Sequence, residues 1–220
     1  MDHTPRDESA LRMDSEAERA CHELLLRLAG RLSDELLWRY RDWLGEGTIA
    51  TLARTLPKSL LKYRIDLAEP DHQLLVTGLA PYGADRNQIS SVLAVDDPVP
   101  QPYTFTPSVP EQADTVDSVS ALLHAMLRGR SNVGEVRESW RRQGPDDNAP
   151  PRRVLLITAT SGQPALTGEL QRVLRVLGDA EPSVEVLPYD LEPPHYHAAA
   201  LAQSRLVCAG AVAGQGLIPA

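Results

Sequence analysis

The sequence predicts an α+β chain in two parts: an N-terminal all-α helical bundle, then a small three-stranded α/β domain. Three observations carry this. Residues 16–94 place apolar side chains at helical spacing between short polar turns. A proline-rich stretch at 96–110 then excludes both helix and central strand. Beyond Arg153, short apolar runs alternate with helical patterns in the order strand, helix, strand, helix, strand.

The first helical face carries Ala17, Cys21, Leu24, Leu25, Leu28 and Leu32. Ser33 is placed to cap a second helix, with Asp34 and Glu35 suited to its positive end. That helix turns Leu36, Leu37, Tyr40, Trp43 and Leu44 inward and has Gly45 as its C-cap. A third begins near Thr48 and meets Pro57, which either kinks it or opens a new helix with Leu60 and Leu61. Pro70 starts a fourth, with Leu74, Leu75 and Leu79 inward, and a short fifth follows Asp85 through Ile89, Val92 and Leu93.

Within the proline-rich stretch, Tyr103, Thr104, Phe105 and Thr106 alternate and have β-propensity, which suits a short strand added to an exposed sheet edge. A helix from Asp114 presents Val116, Val119, Leu122, Leu123, Met126 and Leu127; a second helical piece holds Val133, Val136 and Trp140. Strands follow at 154–157, 183–187 and 206–209. The expected divisions are a disordered arm at 1–14, the bundle at 15–95, a linker at 96–112, the α/β domain with two leading helices at 113–210, and a tail at 211–220. The alternation after Arg153 resembles Rossmann-like and flavodoxin-like domains, but only their first half. A sheet that small leaves open edges that invite a partner.

A net charge of −8 disfavours non-specific contact with phosphate backbones. The one basic cluster, Arg128, Arg130, Arg137, Arg141 and Arg142, is interleaved with Glu135 and Glu138 and reads as a charge-paired helix face. Nucleic acid is therefore an unfavoured partner. Cys21 and Cys208 lie in apolar patterns without metal spacing and read as buried thiols in a reducing compartment. The polar first residues predict no signal peptide, and no apolar run approaches the ~20 residues of a membrane span, so the expectation is a cytoplasmic protein without membrane contact.

Chemistry could sit in two loops. Thr158, Thr160, Ser161 and Gly162 precede a helix and could cradle an anion; the loop loosely resembles the hydroxyl-rich phosphate loops of flavodoxin-like proteins. Asp190, His195 and His197 are weak metal candidates without a firm further ligand, so no metal or other cofactor is predicted. Nucleophilic catalysis has no motif to support it. Trp38 and Leu26 lie off their helices' apolar stripes, and Trp38 beside Arg39 and Arg41 has the composition of a binding hot spot. The functional expectation is a non-catalytic adaptor acting by contact with another protein or a second copy, with the question of an enzyme left open. The alternatives are a small-ligand or nucleotide-binding protein, or an enzyme, using the loop at 158–163, and a nucleic-acid-binding regulator.

Overall fold

The computed structural model describes residues 5–96, 103–108, 118–144 and 150–212, with side chains from residue 15 onward. Five helices come first: α1 (Pro5–Arg27), α2 (Asp34–Gly45), α3 (Ile49–Tyr63), α4 (Glu69–Leu79) and α5 (Arg86–Ser91). The rest is β1 (Tyr103–Thr106), α6 (Ser118–Leu127), β2 (Val133–Gln143), β3 (Arg152–Ala159), α7 (Gln163–Val176), β4 (Ser183–Pro188), α8 (His195–Ala202) and β5 (Arg205–Ala209). The chain is α+β, with a mixed five-stranded sheet. α1 reaches back into the stretch read as a disordered arm.

The bundle forms as its periodicity implies. Leu24, Leu25, Leu28, Leu52, Leu56, Leu60, Leu75 and Leu79 share one core, each fully buried leucine contributing about 1.5–3 kcal/mol. Pro57 lies buried inside a continuous α3 and starts no new helix. Asp85 caps α5 by accepting the Asn87 N–H at 2.9 Å. The bundle closes on itself where Leu67 pairs with the chain beside Ala94.

The sheet departs most from expectation at residues 133–143. This stretch is not a second helical piece but β2, the strand on which the sheet is built. Val133 and Val136 are three apart, a helical spacing, yet both enter the same core because the strand's register shifts between them. β2 pairs antiparallel with β3 on one side. On its other side it pairs antiparallel with β1 along residues 140–143 and with β5 along residues 135–138. β1 and β5 thus lie end to end as one composite strand. Ser139 stands at their junction, its hydroxyl donating to the Gln203 carbonyl at 2.7 Å and lying 3.4 Å from that of Thr106.

Among the described strands, β3 and β4 are the one parallel pair. The sheet has five strands where the sequence predicts three and a short one added at 103–106; the unexpected strand is β2, which occupies the flank of β3, so β5 pairs with β2. The short strand expected at 103–106 does lie on the sheet. One sheet face, with Val136, Leu155, Ile157 and Val186, packs with Leu123, Leu127, Leu166 and Leu170 of α6 and α7. The other, with Val154, Leu156 and Leu187, meets Leu26 of α1 and Ala200 of α8.

α2 runs against α7 at closest approach where Gly45 meets the backbone of Gly168 and Pro164. Gly45 is thus the last residue of α2 and its point of contact, not its cap; the chain turns at Gly47, with φ +71°. A side chain at residue 45 would strike backbone, which cannot swing aside. Gly45→Val is expected to lose about 1–3 kcal/mol through overpacking, measured by urea unfolding.

Candidate functional site

Where the bundle meets the sheet, charged groups are buried. Glu185 faces inward from the middle of β4 and is fully buried. Arg41 of α2, 2% exposed, grips it through two N–H groups, at 2.7 and 2.5 Å. The Nε2 of His197, from α8, lies 2.8 Å from the same carboxylate, and the Ser183 hydroxyl donates to it at 3.2 Å. Burial alone would push the Glu185 carboxyl up; Arg41 and His197 outweigh it and hold it below the usual carboxylate range.

The same groups close the outer edge of β4. Arg41 donates to the Val184 carbonyl at 3.2 Å, and His22 of α1 donates through Nε2 to the Val186 carbonyl at 2.7 Å. These side chains replace the neighbouring strand that an edge would otherwise lack. The free flank expected of an unfinished sheet is therefore sealed within the chain at this strand.

A second charged cluster opens to solvent. The α1–α2 turn, the ends of β1 and β2, and the start of β3 enclose a cleft of about 570 Å³, lined by Gly30, Ser33, Asp34, Tyr103, Arg141, Arg152 and Glu181 among others. Arg141 forms its floor and is 7% exposed. Its guanidinium donates to the Tyr196 hydroxyl at 2.9 Å, pairs with Asp34, and lies 4.9 Å from the centre of the Tyr103 ring. Burial works against this charge, but Tyr196 and Asp34 outweigh it and raise the pKa above the ordinary arginine value. Arg152, half exposed, bridges Asp34 at 3.1 Å and Glu181 at 2.6 Å. Gly30, at φ +78°, lets the turn pass against the Tyr103 and Tyr196 rings.

The residues singled out from sequence are placed as follows. Thr158 is buried in β3, its hydroxyl accepting the Glu135 N–H at 2.8 Å. Thr160 donates its N–H to the Asn132 carbonyl, and the Ser161 carbonyl accepts the Asn132 side-chain amide. Gly162 takes φ +68° to start α7. The loop is thus tied to the turn before β2, and the cleft lies at the opposite end of β3.

Leu26 is buried between α1 and the sheet, and Arg41 is buried on Glu185, so neither is a surface contact residue. Trp38 is half-buried under Arg175 of α7, at 3.9 Å, and Arg39 pairs with Glu35. Their off-stripe positions arise because α1 and α2 are covered on two sides. His197 is fully buried on Glu185, whereas Asp190 and His195 are exposed; among the described residues no three metal-ligating side chains converge. The five arginines of the basic cluster do not share a helix face. Arg130 pairs with Glu169, Arg137 with Glu135 and Arg141 with Asp34, from a strand and the turn before it. Cys21 and Cys208 are buried, and burial pushes the Cys21 thiol up to about 12. Among the described residues no helix is long and apolar enough to cross a membrane.

Sequence reasoning missed Glu185, Arg152 and His22; it named Arg41 as a surface contact, Arg141 as part of a helix face and Asp34 as a helix-start residue, and did not bring them to these sites. Two signals were present: Glu185 interrupts an apolar strand, and Arg41 lies four residues after Leu37 on the inward face of α2. No family model, no curated protein and no solved structure matches the chain.

Breaking the buried pair from one side is expected to be costly, since it strands the other charge. Arg41→Met or Glu185→Gln should each lose about 3–5 kcal/mol in urea unfolding, and the double variant should lose clearly less than the sum. Neither thiol should react with Ellman's reagent until the chain unfolds.

Proposed function

We propose that this protein binds a small organic anion, with a carboxylate or phosphate group, in the cleft floored by Arg141. The observation that carries the reading is that guanidinium, withdrawn from water against Tyr103 and Tyr196 yet lining the cleft. A volume of about 570 Å³ falls in the range of small-molecule sites, about 300–1,000 Å³. Arginine's planar fork matches carboxylate and phosphate oxygens, and burial strengthens each contact.

In the structure Asp34 supplies the anion. It pairs with both Arg141 and Arg152 from the first turn of α2, where the helix N-terminus favours negative charge. A ligand anion would bind by taking over part of this pairing, with Arg152, half exposed, the guanidinium nearer to solvent. The site would differ from the loop at 158–163 considered from sequence, and no chemical step is assigned to it.

A second reading, contact with another protein or a second copy, has its own support. The flank of β4 no longer argues for it, but Val176 is 88% exposed and Leu177 47% exposed at the end of α7. Leu177 also lines a cleft of about 610 Å³ with Val119, Trp140 and Leu174. Isolated apolar side chains are ordinary on a surface; apolar groups adjoining a groove mark an interaction site.

The two readings separate by experiment. Inorganic phosphate or citrate at millimolar concentration should raise the melting temperature by several degrees in wild type and by much less in Arg152→Gln; no shift with either probe would remove the anion reading. If the chain associates through α7, Val176→Asp with Leu177→Asp should leave a monomer in light scattering at concentrations where wild type is larger.

A further inference from the structure

We infer that the contact of α1 and α2 with the outer edge of β4 is an acid-sensitive latch, closed by neutral His22 and released when His22 takes up a proton. The inference rests on what surrounds that imidazole, and holds whether or not the cleft binds an anion.

His22 is 3% exposed, and its Nε2–H meets the Val186 carbonyl at 2.7 Å. Nearby stand Arg41 from α2, Glu185 from β4 and His197 from α8. The one carboxylate among them is already paired with Arg41 and in contact with the His197 Nε2. The Nδ1 of His197 is buried without a hydrogen-bond partner. Ser183 and Tyr196, the adjoining polar groups, bring no charge, for burial raises the Tyr196 pKa and keeps its hydroxyl protonated. A second proton on His22 would set a new cation beside Arg41 with no anion to receive it. A buried charge of that kind is relieved by separation, which returns imidazole to water.

The direction of the pH effect follows. Burial, above all, lowers His22 from 6.5 to about 4 in the closed form, with Arg41 and His197 adding to it and the Val186 and Glu185 contacts opposing it. The released form binds the proton at the ordinary value. Closure is therefore fully favoured above about 6.5 and weakens as pH falls towards 4; from pH 7 to pH 5 the open fraction rises about 20-fold. Glu185, held below its usual range, adds to this as pH falls through that range, where the open form begins to take up the proton.

Opening would free the edge of β4 while the β2–β3 pair stays formed. The test is hydrogen exchange by mass spectrometry on the full chain at pH 7 and pH 5, corrected for intrinsic rates. Peptides covering residues 183–188 should exchange about 20-fold faster at pH 5, with those covering 152–159 unchanged. In His22→Gln, whose amide can still donate to Val186 but does not titrate, the acceleration should vanish. Should that variant not fold, the titration of the wild-type His22 ring by NMR must coincide with the loss of β4 protection. Equal protection of β4 at both pH values, simultaneous loss across every strand, or undiminished acceleration in His22→Gln would each overturn the latch.

Discussion

The salt bridge between Arg41 and Glu185 determines how the two layers of this protein meet. One partner stands on a helix and the other on a strand 144 residues later in the sequence, and neither reaches water. Removing two charges from solvent costs several kcal/mol per ion, so the pair persists only with good geometry and further hydrogen bonds. It has both. The guanidinium is bidentate, His197 and Ser183 complete the carboxylate, and Arg41 also reaches backbone carbonyls of α1 and β4.

That placement has consequences outward from the pair. α2 meets β4 at this pair and packs on α7, where Gly45 lies against Gly168. α1 must then turn Leu26 to the sheet while Leu24, Leu25 and Leu28 face the bundle. The α1–α2 turn is delivered to the end of β2, where Asp34 meets Arg141 and the cleft forms between them. The cleft is lined by residues of both layers. Its charges come from both, so its geometry depends on the joint staying closed.

The helical bundle was legible because its signal is local. Leucines three and four apart bury together whichever neighbour they meet, and the core of Leu24, Leu52 and Leu75 follows from that spacing. The parallel pair β3 and β4 was legible for the same reason, as continuous apolar runs with a helical pattern between them. β2 was not. Its Glu135, Arg137, Glu138, Arg141 and Arg142 read as solvated charges, yet Glu138 is fully buried and paired with Arg205. Arg137 finds Glu135 within the strand, but the buried Glu138 and Arg141 are neutralised by Arg205 and Asp34, which no local window of sequence contains.

The amino-acid sequence by itself determined the elements that bury apolar side chains at regular intervals, the proline-rich interruption, and an acidic chain without a catalytic motif. Tertiary structure alone decided which strand lies at the middle of the sheet, that β1 and β5 are laid end to end, and that Arg41 and His22 stand in for a missing strand. The reason is range. Hydrophobic periodicity acts between residues a few positions apart, whereas a buried charge is tolerated only where the fold brings its counter-charge from far along the chain.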